Sequence, residues 1–423
     1  MTPRRQPGEG DGGLQQWRFS PAVWQAGRHL SRRQINALLR VRSAAVIPGA
    51  ADRFVAMGLP ADVVQQTLRR VRSLESWADV WTWTAQRFLG EARQRTTANE
   101  DRAAAMARHQ AALAYHAATV LSLDDAKKTR ALRSASVTLF AQSVPVVFPA
   151  AERIEVPWRA RALPGYLVRP MGGSRPPLVV CLNGATTTKE ELLGWSSRFL
   201  DLGIGYLALD WPGTGEAPRT GAMLDSESDD LTDGVFQMAE AHGFDVGRIA
   251  LLGIGIGGAL AVQVAAADRR VAACISVSAP YDAAGWIRGM HPLLSEQLLG
   301  AVADDEARIS IAERFALPTA AARLRAPLLV LGSGRDVIVP PGETARLAVA
   351  AGELGTLVWY PNSQHALYDA VTCWTDDAAR WLTEILGPVT ASYSTRVEQL
   401  APTARSNAVY IEGPCRNERN GVV

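Results

Sequence analysis

The sequence predicts an α/β protein: a mostly parallel, doubly wound sheet preceded by a helical unit. Three observations predict it. Apolar residues recur at helical spacing from about residue 21 to residue 142, where strand signals are nearly absent. From about residue 150 the period changes, and short apolar runs alternate with helical text. Those runs do not alternate apolar with polar, which marks strands covered on both faces by helices.

In chain order, residues 1–20 are polar and Gly/Pro-rich and are expected to be disordered. Residues 21–148 are expected to form the helical unit. Its three amphipathic stretches are "SPAVWQAGRHLSRRQINALLRVRSAA", "PADVVQQTLRRVRSLESWADVWTWTAQRFLGEARQR" and "NEDRAAAMARHQAALAYHAATVLS". Pro60 sits at a helix start, and "TTANED" offers a cap before the third stretch. Trp77, Trp81 and Tyr115 fall on apolar helix faces. Core packing is their simpler role; for Trp81, Tyr115 and the neighbouring His116, lining a substrate pocket is the sharper one. Residues 149–387 are expected to form the sheet domain. "ERIEVPW" and "LPGYLVRP" read as a hairpin, followed by six strands: "PLVVCLNG", "GIGYLALDWPG", "RIALLG", "VAACISVSAP", "APLLVLGS" and "GTLVWYP". Residues 281–323 exceed what one crossover needs and are long enough for a small second lid. Residues 388–423 lose periodicity and are expected to be a mostly disordered tail.

Composition narrows the function classes. The chain has 423 residues, 48% hydrophobic and 20% charged, with a formal net charge of +2. No basic block points to nucleic acid and no apolar run is long enough to span a membrane. The polar start lacks a secretory leader's apolar core, so a cytoplasmic location is expected. Cys181, Cys274, Cys373 and Cys415 are far apart in sequence and are expected to be reduced thiols. The histidines lack metal-ligand spacing, and no metal or cofactor is implied. The expected partner is a small-molecule substrate; a homodimer is compatible with the sequence.

The stretch Gly253-Ile254-Gly255-Ile256-Gly257-Gly258 joins a strand to a helix and fits two motifs. As G-x-G-x-x-G it is a dinucleotide fingerprint. As G-x-S-x-G it is a nucleophile elbow with glycine in place of serine. A dinucleotide site wants its glycines after the first strand of the sheet and an acidic residue at the end of the next one. Here two parallel strands precede the glycines, and "VAACISVSAP" ends without Asp or Glu. The elbow requires an acid after a later strand and a histidine after the last. Asp336 in "LGSGRDVIVP" and His365 in "YPNSQHALYD" occupy those places. Gly184-Ala185-Thr186 follow the early strand, where an oxyanion loop belongs.

These residues carry a resemblance. "LNGATTTKEELLGW", "ALDWPGTGEAP", "GIGIGGALA" and "LLVLGSGRDVIVP" together resemble the α/β-hydrolases related to FrsA-type esterases and to the 2,6-dihydroxypseudooxynicotine C–C hydrolase. The resemblance covers about residues 60–385. It implies an α/β-hydrolase core, an N-terminal helical cap and hydrolysis of ester or C–C bonds beside carbonyls, with relatives acting in polyketide pathways. That family carries serine where this chain has Gly255, so no acyl-enzyme can form there.

Other parts of the machinery are present in the sequence. His365 oriented by Asp336 is a candidate general base. The N–H groups of Ile256 and Ala185 are candidate oxyanion donors, and Thr186 is a pocket candidate. The expected chemistry is proton abstraction beside a carbonyl, leading to elimination, cyclisation or C–C cleavage. Two alternatives are a hydrolase in which the same dyad activates water, and a catalytically dead binding protein. Lys189, Glu190 and Glu191 open a helix and are expected to act through its cap and dipole. Asp210 and Glu216 are expected to be structural members of a turn. Ser278 and Ser333 lie near strand ends but are poor replacements for the lost nucleophile.

Overall fold

The computed structural model describes residues 30–42, 49–122, 125–217, 229–289, 305–387 and 409–412. The sequence expectations for residues 1–20, and for the middle of the 281–323 segment, lie outside these. Among the described residues six helices come first: α1 (Arg32–Arg42), α2 (Ala50–Ala56), α3 (Ala61–Arg70), α4 (Trp77–Thr97), α5 (Asp101–Val120) and α6 (Ala126–Val147). α5 is alanine-rich, and Ala104, Ala105, Ala107, Ala111, Ala112, Ala114, Ala117 and Ala118 are all buried. Small side chains let α4 and α6 close on it while keeping a high helix propensity. The helical core centres on Phe54, Trp77 and Trp81, with Phe54 and Trp81 ring centroids 4.7 Å apart.

The sheet begins at Ala151, with the antiparallel hairpin β1 (Ala151–Trp158) and β2 (Arg161–Val168). Then follow β3 (Leu178–Leu182), α7 (Lys189–Leu193), α8 (Ser197–Asp201), β4 (Gly205–Leu209), α9 (Asp229–Ala241), β5 (Ile249–Ile254), α10 (Ile256–Ala267) and β6 (Ala273–Val277). The chain continues through α11 (Ala283–Gly289), α12 (Asp305–Glu313), α13 (Pro318–Arg323), β7 (Leu328–Ser333), α14 (Pro341–Ala350), β8 (Gly355–Tyr360) and α15 (Val371–Leu386). With β9 (Val409–Glu412) at the far edge, strand order is β1-β2-β4-β3-β5-β6-β7-β8-β9, and every pair from β4 through β9 is parallel.

Double-sided burial explains the continuous apolar runs. In β3, Leu178, Val180 and Leu182 enter one core while Val179 and Cys181 enter the other. Tyr166, Val168 and Leu193 join the helical core, so the helical unit packs on the β2 side of the sheet.

The tail, expected to be mostly disordered, contributes one short strand: β9 (Val409–Glu412) pairs in parallel with β8, because the edge of β8 leaves a row of backbone groups open to a further strand. One expectation needs correcting: not all cysteines are reduced. Cys181 and Cys274 are free and buried, but Cys373 is disulfide-bonded.

Candidate active site

The site assembles at the carboxyl ends of the parallel strands, where the loops after β3, β5, β7 and β8 meet. The turn from β5 into α10 is its centre. Gly255 has φ 55° and ψ −120°, and its N–H donates to the Val277 carbonyl at 2.8 Å. This backbone conformation is costly for any residue with a Cβ. The flanking glycines serve a different need. A Cβ on Gly257 would lie 2.2 Å from the Asn183 carbonyl oxygen, and one on Gly258 would lie 2.9 Å from the Gly253 carbonyl oxygen. Gly257 lets the first turn of α10 press against the end of β3 and the loop after it, and Gly258 lets it press against β5 and β6.

His365 follows β8 and opens a short 3₁₀ turn (His365–Ala370). Ala366 and Leu367 hold left-handed backbone with φ 58° and 55°. Such strain persists only where surroundings over-determine it. Here both residues are buried, and the Ala366 N–H donates to Ser278 Oγ at 3.1 Å. Ser278 thus supports the histidine turn and does not stand in for the nucleophile.

Asp336 lies beyond β7. Its Oδ1 accepts the N–H groups of Ile338 and Val339, both at 2.8 Å, and its Oδ2 lies 2.8 Å from His365 Nδ1. With a carboxylate as partner, Nδ1 carries the proton and donates it, leaving Nε2 with the free lone pair. A Cβ on Gly255 would stand 3.6 Å from that Nε2. Nε2 therefore faces the space above Gly255 in which a side chain at that position would stand. His365 is about a quarter exposed, Asp336 almost fully buried.

The loop after β3 is pinned on both sides of Ala185. The Gly184 N–H donates to Thr187 Oγ1 at 2.5 Å, and Asn183 Nδ2 donates to the Thr187 carbonyl at 2.6 Å. Among the described residues, the N–H groups of Ile256 and Ala185 make no bond to another protein group. Both expected oxyanion donors are thus uncommitted.

The pocket candidates fare differently. Trp81 is fully buried against Phe54 and Trp77, and Tyr115 belongs to the same helical core. Core packing accounts for both, because the helices close over these rings. His116 lies 3.0 Å from Glu191 Oε2 through Nε2 and is also buried. Thr186 is held from the helical unit: Arg53 Nη1 donates to its Oγ1 at 3.0 Å and Nη2 to its carbonyl at 2.7 Å.

Lys189, Glu190 and Glu191, expected to act through the cap and dipole of a helix, do open α7, and all three are buried. Glu191 takes a bidentate grip from Arg53, at 3.0 and 2.9 Å. Burial pushes its carboxyl pKa up, but Arg53 and His116 outweigh that and hold it below the usual value. Glu190 pairs with Arg133 of α6 at 2.5 Å and with Lys189 at 2.6 Å. Lys189 also reaches Asp210 at 3.0 Å and Glu216 at 2.7 Å. Asp210 accepts the N–H groups of Lys189 and Glu216 at 2.8 and 2.9 Å, which fits its expected place in a turn. Sequence reasoning missed Arg53 and Arg133, because nothing separates them from the other arginines of an amphipathic helix.

The strand order, the strained turn after β5 and the ordered acid and histidine after β7 and β8 decide the class. The chain has the α/β-hydrolase fold. Residues 193–389 match the model of the prolyl oligopeptidase family. A segment of 201 residues is 29% identical to 2,6-dihydropseudooxynicotine hydrolase of Paenarthrobacter nicotinovorans, covering 48% of this chain and 54% of that one. Hydrolase acrC of Aspergillus aculeatus is 30% identical over 234 residues, covering 49% of this chain and 54% of its own. Alpha/beta hydrolase ucsC of Acremonium sp is 32% identical over 169 residues, 35% of this chain and 34% of its own. The chain thus spans about half the length, or less, of these curated relatives. The crystal structure of 2,6-dihydroxy-pseudo-oxynicotine hydrolase superposes with a TM-score of 0.68 at 24% identity, over 79% of this chain and 95% of that one. AbyA5 superposes with a TM-score of 0.59 at 20% identity, over 82% of this chain and 93% of its own. Both likenesses speak to the fold.

A separate cleft of about 480 Å³ opens on the helical unit, lined among others by Val63, Thr84, Arg87, Phe88 and Glu91. None of the dyad or elbow residues lines it. No helix among the described residues is long and apolar enough to cross a membrane.

Proposed function

We propose that this chain is an enzyme that acts on a carbonyl-containing small molecule of the polyketide-like kind by general-base chemistry, without a covalent acyl-enzyme. His365 Nε2 takes a proton from the substrate, Asp336 orients the imidazole and stabilises the imidazolium, and the N–H groups of Ile256 and Ala185 hold the oxyanion or enolate that develops. The reaction follows as elimination, cyclisation or C–C cleavage. The observation that carries this reading is the lone pair of His365 Nε2 aimed at the space above Gly255, 3.6 Å from where a Cβ would stand. A base positioned for a serine now meets whatever occupies that space. The naming of the relatives as hydrolases supports a second reading, in which the occupant is a water that His365 deprotonates for attack on the carbonyl.

The test is turnover of β-dicarbonyl and activated acyl compounds by the intact chain and by His365→Ala. The expected loss is about 10²–10⁴-fold, the range of general-base catalysis. Equal turnover by both proteins would refute the role of His365. Compound binding without turnover in either would establish a binding protein instead. Incorporation of ¹⁸O from labelled water into the product separates water attack from elimination or cyclisation.

A further inference from the structure

We infer that Arg53 is a positioning residue: the helical unit uses it to set the shape of the oxyanion loop. The inference rests on the proposed oxyanion role of Ala185. Arg53 lies on α2, outside the sheet domain, yet four of its hydrogen bonds converge on two residues of the segment after β3. Nε and Nη2 take the two oxygens of Glu191 at 3.0 and 2.9 Å, and Nη1 and Nη2 take Thr186 Oγ1 and the Thr186 carbonyl at 3.0 and 2.7 Å. A guanidinium has five N–H donors in a fixed plane, so a carboxylate held on one edge fixes where the other edge points. Glu191 is itself held, being fully buried with His116 Nε2 at 3.0 Å from its Oε2.

The consequence falls on Ala185. Thr186, on its C-terminal side, is bound at both hydroxyl and carbonyl, and Gly184, on its N-terminal side, is bound to Thr187 Oγ1. Ala185 is the residue between, with its own N–H uncommitted among the described residues. An oxyanion donor must be aimed before the charge develops, and this clamp supplies the aim from another structural unit. Stability alone gives no reason for the choice, since apolar packing serves a buried interface as well as an ion pair does.

Arg53→Lys separates positioning from charge balance. Lysine keeps the positive charge beside Glu191 but cannot span Glu191 and Thr186 in one plane. Hydrogen exchange of the full chain is read by mass spectrometry over residues 183–192 and, as control, over β5 and β7. The expected result is exchange about tenfold or more faster in the loop, with the control strands unchanged. A loop protected as in the parent, or faster exchange spread evenly over the molecule, would overturn the inference. Thr186→Val removes the hydroxyl half of the clamp, leaving the Arg53–Glu191 pair and the bond to the Thr186 carbonyl, and serves if Arg53→Lys does not fold; a smaller rise in loop exchange is expected there, and unchanged loop exchange overturns the inference. A second readout uses Gly255→Ser with an activated aryl ester. Adding Arg53→Lys should lower kcat about 10–100-fold with KM little changed, and an unchanged kcat counts against the clamp. No ester turnover in Gly255→Ser alone would refute the oxyanion reading, while loop exchange still decides whether Arg53 holds the loop.

Discussion

Gly255 and Gly257 stand two residues apart and respond to the same methyl group for opposite reasons. At Gly255 the backbone is in a region disfavoured for side chains, with φ 55°, but the added Cβ meets only the His365 ring, Nε2 at 3.6 Å and Cε1 at 3.8 Å, both ordinary contacts. Gly255→Ala should therefore cost about 1–3 kcal/mol, all of it backbone strain. At Gly257 the backbone is helical and relaxed, but the Cβ would sit 2.2 Å from a main-chain oxygen that cannot move aside. Gly257→Ala should exceed the ~1–3 kcal/mol of ordinary overpacking. Denaturant unfolding of both variants checks the order; a larger loss at Gly255 would refute this account. Gly255→Ser should restore a hydroxyl within reach of Nε2 and give turnover of an activated ester with burst kinetics. The elbow was legible in the sequence because its glycines, its acid and its histidine keep a fixed order along the chain. The support of His365 by Ser278 was not, since 88 residues separate Ser278 from its partner Ala366.

Within single elements, α5 holds a histidine that titrates against the fold. His109 is buried between Phe140 and Phe148, with ring centroids 4.9 and 5.5 Å away, and burial lowers its pKa from 6.5 to about 4. The unfolded chain then binds a proton below pH 6.5 that the folded one refuses down to about 4. Stability is fully present above pH 6.5 and is lost as pH falls through that window, by about 3 kcal/mol in all. His109→Phe should flatten the melting temperature across this window; an unaltered pH slope would show that His109 does not contribute. Helices and strands were legible because burial on one stripe or on both faces leaves its period in the text. The strand β9 was not, because a four-residue edge strand leaves too short a pattern.

Across the whole molecule, a seam of buried charge joins the helical unit to the sheet domain. Arg53 and Arg133 come from the helices, Glu190 and Glu191 from α7, and Lys189, Asp210 and Glu216 complete the network. Burial pushes the pKa of Glu190 up, but Arg133 and Lys189 hold it far below its ordinary value, and Glu191 is also lowered. Their contribution to stability is present above the ordinary carboxylate value of 4.5 and is lost as pH falls below it, a lower window than that of His109. Glu190→Gln removes the nearest counter-charge of Arg133 and Lys189, leaving them Asp210 and, for Lys189, Glu216, and should cost about 3–5 kcal/mol in denaturant unfolding at neutral pH. A loss below 1 kcal/mol would mean that the seam relaxes or admits water. By itself the sequence determined the layer order, the place of the elbow and the identity of the dyad, because strand burial and loop order are local or sequential properties. Only the tertiary structure decided that Lys189, Glu190 and Glu191 are an interface, that Arg53 reaches Thr186 beside Ala185, and that His116 reaches Glu191. Ion pairs between residues as far apart as Arg53 and Glu191, 138 positions in sequence, leave no period for a sequence to show.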